Sequence, residues 1–95
     1  MSVVGTWIVE DTDKRALAGL GDVTLEFQES GRLIYTIRRS TKDQIINLRY
    51  KVEGATIVTD QPSVPRVEKT AFLISVDDVL TLEFGGVPYR FTRRP

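Results

Sequence analysis

The chain contains no cysteine and no histidine. Without cysteine there are no disulfides, thiolate nucleophiles, zinc ribbons or iron–sulfur clusters. Without histidine the commonest general base and the commonest nitrogen ligand for zinc, copper or haem are gone as well. Net charge is also lacking, since 13 basic residues balance 13 acidic ones; no long-range field draws the molecule onto nucleic acid or an anionic membrane. No apolar run approaches the about 20 residues of a membrane span, and the opening MSVVGTWIVEDTDK has neither a basic start nor a signal-length apolar core. These absences lead to the expectation of a cytoplasmic protein with no cofactor, no metal, no nucleic-acid partner and no membrane span. At 95 residues the chain buries only about 60–65% of its unfolded surface, which suits one core and a single domain over 1–95.

What the chain does have is alternation. From residue 22 onward apolar and polar residues follow each other with a period of two, broken by glycine, proline and acidic turn residues, the pattern of an antiparallel meander. A three-residue loop at Glu29, Ser30 and Gly31 sets Phe27 opposite Leu33, Leu25 opposite Tyr35 and Val23 opposite Ile37, leaving one face wholly apolar. A four-residue loop at Ser40 to Asp43 would pair Ile37 with Ile46, Tyr35 with Leu48 and Leu33 with Tyr50. A turn at Glu53–Gly54 would bring Ile57 opposite Tyr50 and Thr59 opposite Leu48. Gly85–Gly86 suits a two-residue turn pairing Phe84 with Val87, Leu82 with Tyr89 and Leu80 with Phe91.

In 66–75, Val67, Ala71 and Leu73 share one face while Phe72 and Ile74 share the other, so alternation leaves its register open. Strands at about 3–10, 22–28, 32–39, 44–52, 55–61, 66–75, 79–84 and 87–94 give an all-β chain of eight antiparallel strands. One short helix is expected at TDKRALAGL between the first two strands, capped by Thr12 and apolar at Leu17 and Leu20. An open meander would expose two edges, so closure into an up-and-down barrel is expected. Eight strands make a barrel just wide enough to be filled by side chains or to hold one small ligand.

The GTW at Gly5–Trp7 resembles the opening motif of the lipocalin and calycin barrels, and the short length is similar to the small bacterial lipocalin-like domains. That resemblance implies a tryptophan closing one end of the barrel under an arginine from the last strand, a part for Arg90, Arg93 or Arg94. The functions of those small domains are mostly unassigned, so the expectation of a non-enzymatic binder of a small amphipathic or apolar molecule at the barrel mouth rests on the inward residues. GTW is similar to the avidin motif too, but a biotin pocket is walled by several tryptophans and this chain has one.

Connections in a meander alternate between the two ends of a barrel, so the loop DQPSVPR at 60–66 shares the mouth with 11–21, 40–43 and Gly85–Gly86. Asp60 and Ser63 make no hydrolytic pair without an imidazole; Pro62 and Pro65 stiffen a lip. Inward parity puts Arg39 near the mouth beside Gln44 and Gln61, above a wall of Tyr35, Leu48, Tyr50 and Phe84. Such a site would take a small amphipathic anion. Arg39 turned outward onto Asp43 or Asp60 is the plainer alternative. The competing function is a side-chain-filled barrel acting by self-association, with a homodimer joined through an outer apolar row at Ile34 and Val58, flanking Arg49. Catalysis has only a carboxylate such as Glu26 or Asp60 near a buried tyrosine to draw on, so no enzyme is expected.

Overall fold

The computed structural model describes residues 2–9, 22–38, 41–62, 67–84 and 86–94. The helix expected at 12–20 lies outside the described residues. Eight strands follow in chain order: β1 Gly5–Val9, β2 Asp22–Phe27, β3 Arg32–Arg38, β4 Gln44–Glu53, β5 Thr56–Asp60, β6 Val67–Ile74, β7 Val79–Phe84 and β8 Val87–Arg93. Each pairs antiparallel with its neighbours, and β1 meets β8 through Trp7 with Arg93, Ile8 with Thr92 and Val9 with Phe91. The barrel is therefore closed, lipocalin-like in its coarse architecture, and its strand edges are paired all the way round. Among the described residues no helix is long and apolar enough to cross a membrane.

The β2–β3 register matches its turn chemistry, with Leu25 opposite Tyr35 and Phe27 opposite Leu33. Gly31 supplies the left-handed φ of 91° that this turn requires. The β7–β8 hairpin likewise pairs Phe84 with Val87, Leu82 with Tyr89 and Leu80 with Phe91.

Two registers differ from expectation, each by two residues. Across β3–β4, Leu33 faces Leu48, Tyr35 faces Ile46 and Ile37 faces Gln44. Across β4–β5, Tyr50 faces Thr59 and Val52 faces Ile57, with Gly54 and Ala55 forming the turn. A two-residue slip keeps every side chain on its face, so alternation alone is blind to it. Tyr50 settles the choice. Its N–H donates to the Gly31 carbonyl at 2.8 Å, its hydroxyl donates to the Gln28 carbonyl at 2.7 Å, and its ring meets Phe27 edge-on at 5.0 Å.

The open question at 66–75 resolves as well. Pairing of Ile57 with Thr70 and Thr59 with Glu68 turns Glu68, Thr70, Phe72 and Ile74 inward and leaves Val67, Ala71 and Leu73 outside.

The core is uneven. Trp7, Val9, Val23, Leu25, Phe27, Leu80, Leu82 and Phe91 are buried on β1, β2, β7 and β8, whereas β3 and β5 add only Leu33 and Ile57 to the core cluster. No residue of β4 or β6 is fully buried. Full burial of one such aliphatic or phenyl side chain stabilises by about 1.5–3 kcal/mol, so the β1–β2–β8 side carries most of that gain.

Candidate functional site

One end of the barrel gathers the first residues of the chain with the turns near Gly31, Gly54 and Asp78, and it is plugged. Trp7 and Arg93 are cross-strand partners, so both project from the inner face. The indole is completely buried and its N–H donates to the Val3 carbonyl at 2.8 Å. The Arg93 guanidinium lies 4.2 Å from the ring centroid. Its Nε donates to Asp78 Oδ2 at 2.7 Å, Nη1 to the Val4 carbonyl at 2.7 Å and Nη2 to the Ser2 carbonyl at 2.9 Å. A planar fork with several donors can stack and bridge in this way, whereas a lysine cannot. Gly5 makes room for it: at φ 134° a Cβ there would stand 2.5 Å from Arg93 Nη1.

Arg93 thus covers Trp7, and Arg90, exposed between the inward Tyr89 and Phe91, does not. Sequence reading missed Asp78. Its signal is an aspartate at a left-handed turn position, φ 63°, a conformation that aspartate tolerates better than most residues.

Toward the other end the interior is hollow. A cavity of about 190 Å³ opens between β2 and β7. Leu25, Phe27, Leu33, Tyr35, Ile46 and Leu48 form one wall, and Ile57, Leu82 and Phe84 close the sides. The remaining wall is polar, made by Thr59 and Gln61 of the β5 end and by Glu68 and Thr70 of β6. Thr59 sits directly opposite Glu68, and Thr70 opposite Ile57. Burial in this setting raises the Tyr35 pKa above its usual 10.0, because the phenolate is disfavoured where water is scarce.

Of the residues expected at the site, Tyr35, Leu48, Phe84 and Gln61 line the cavity. Gln44 stands at the rim, lining a neighbouring groove with Ile46, Gln61 and Pro62. Tyr50 is displaced: the register slip carries it down to the plugged end, onto Phe27 and Gln28. There burial, and secondarily the charge of Glu29, raise its pKa. Arg39 lies outside the described residues, as do Ser63, Pro65, Arg66 and Gly85 of the mouth loops.

Ile57 and Thr59 were expected on the inner face but not named for the site, whereas Glu68 and Thr70 were not anticipated. Their signal is present in VEKTAFLI, where every second residue from Glu68 runs polar, polar, apolar, apolar, but it can be read only once the Ile57–Thr70 pairing is known.

The outer apolar row does not form. Ile34 sits between Glu26 and Asn47, and Arg49 faces Asp60. Val58 lies between Lys51 and Lys69, only 8% exposed. The same two slips that moved Tyr50 separate these three residues, and flanking lysine stems are well suited to cover a valine. Comparison with protein-family models, with curated proteins and with solved structures gives no match.

Proposed function

We propose that this barrel binds a small apolar or amphipathic molecule in the cavity between β2 and β7, without chemical turnover. The observation that carries the reading is the cavity itself: about 190 Å³ with an apolar wall facing a polar one. Concave, mostly apolar sites with a few convergent polar groups are the usual form of a ligand pocket. A barrel built only to pack would be expected to fill this space, because voids larger than a water molecule are few in protein interiors. The plug at Trp7 and Arg93 supports a lipocalin-like assignment, and the absence of cysteine accords with a cytoplasmic setting.

The test is a thermal-shift screen with small hydrocarbons, phenols, alcohols and short acids, run in parallel on the parent chain and on Leu48→Phe. A ligand at a hundred times its Kd stabilises by about 2.7 kcal/mol, an easily measured rise in Tm. Hits should raise the parent's Tm and lose part of that effect in Leu48→Phe, whose larger ring intrudes on the cavity. If no compound acts, or if every hit acts equally on both chains, the cavity is not the binding site.

The alternative, association with another copy, draws on the outer face of β6, where Val67 and Leu73 stand exposed. Light scattering on the concentrated protein decides it.

A further inference from the structure

We infer that the ligand of this cavity is an uncharged single-ring molecule bearing one hydrogen-bonding substituent, of the phenol class, with its ring against Phe27, Leu33 and Leu48 and its substituent toward Thr59 and Thr70. The inference rests on the binding role proposed above and narrows it by size, by shape and by charge.

Size sets the first limit. An apolar cavity of about 150 Å³ takes up benzene, so about 190 Å³ accommodates one ring with a small substituent. A long acyl chain would have to leave most of its length outside, contributing little apolar burial.

Shape sets the second. The apolar wall comes from β2, β3 and β4 and the polar wall from β5 and β6. Thr59 and Thr70 both face inward on neighbouring strands, one opposite Glu68 and the other opposite Ile57. A hydroxyl of either residue can donate or accept, which suits a ligand hydroxyl.

Charge sets the third. Among the described lining residues none is a lysine or arginine, and the one acidic side chain is Glu68. A carboxylate ligand would be stripped of water without a described cation to meet it. A cationic amine would lose hydration as well, while Glu68 is itself exposed and screened by solvent. A neutral hydroxyl is subject to neither penalty.

The experiment is an NMR titration of the intact ¹⁵N-labelled chain at neutral pH with phenol, toluene, benzoate, benzylamine and hexadecanoate. Phenol is expected to shift the amides of Leu33, Leu48, Ile57 and Thr70 saturably and to bind roughly tenfold more tightly than toluene, the ratio one satisfied hydrogen bond supplies. Benzoate and benzylamine should bind at least roughly tenfold more weakly than phenol, and hexadecanoate should not saturate these amides. Thr59→Val with Thr70→Val should reduce phenol to the affinity of toluene while toluene itself is unaffected, which shows that the doubly substituted barrel is intact. If benzoate, benzylamine or hexadecanoate outbinds phenol at the same amides, the binding role stands and the neutral single-ring class is wrong. If no probe binds, both are wrong.

Discussion

The two sides of this barrel were built from the same alternating pattern and came out differently. On β1 and β2 the inward residues Trp7, Val9, Val23, Leu25 and Phe27 are all buried. On β4 the inward Ile46 and Leu48, and on β6 the inward Thr70 and Phe72, are only half-buried. The difference is one of side-chain volume rather than topology. Where tryptophan and phenylalanine reach across the interior the space is filled; where threonine, glutamine and glutamate take the inward positions it is left open. Closing the barrel at Trp7 and Arg93 allows the other side to stay hollow, because the packed side alone anchors the first strand to the last.

The largest test of that contrast is Trp7→Ala. Removing the plug should cost about 3–5 kcal/mol, a large fraction of the 5–15 kcal/mol typical of a domain, read as the shift of a urea or thermal transition. A paired comparison comes next. Leu80, fully buried on the packed side, should cost about 2–5 kcal/mol when changed to alanine, whereas Leu48→Ala should cost about 1 kcal/mol because its side chain already faces a void. Equal losses at the two leucines would erase the distinction between the sides.

Arg93→Ala removes the cation over the indole, the Asp78 ion pair and two hydrogen bonds to the chain start. A loss of about 2 kcal/mol is expected, together with red-shifted emission from the single tryptophan as water reaches it; Arg90→Ala should leave that emission unchanged. Leu48→Phe should act in the opposite sense and stabilise by about 0.5–1 kcal/mol, since it fills space rather than crowding a packed core.

The smallest effect is alkaline. The Tyr35 pKa is raised by burial, so the folded chain holds that proton more tightly than the unfolded one. The associated stability is fully present below the unfolded value near 10.0 and is lost as pH rises through the higher folded value. Urea midpoints should therefore be level up to about pH 9 and fall above about pH 10, less steeply in Tyr35→Phe.

How far the molecule can be read from its residues follows the same division. The barrel and its closure were legible from alternation and from turn residues such as Gly31, while the resemblance carried by GTW implied a plug at Trp7 without choosing among Arg90, Arg93 and Arg94. The cavity was only partly legible. Period-two alternation specifies the face of each residue on β4 and β5 but not its height along the barrel axis. A slip of two residues therefore took Tyr50 out of the expected wall and separated Ile34, Arg49 and Val58 without violating the pattern. Glu68 and Thr70 were hidden for a related reason. Their strand is polar at one end and apolar at the other, and only pairing with β5 reveals that both lie on the inner face.

The hollow side of the barrel is seen most directly in a crystal structure of the chain under xenon pressure, because xenon enters apolar cavities of this size without needing a hydrogen bond. A xenon atom is expected among Leu25, Leu33, Leu48 and Ile57, and none beside Trp7, Leu80 and Phe91. Side chains of β4 and β6 collapsed onto Leu25 and Leu33, with no xenon between them, would contradict that expectation.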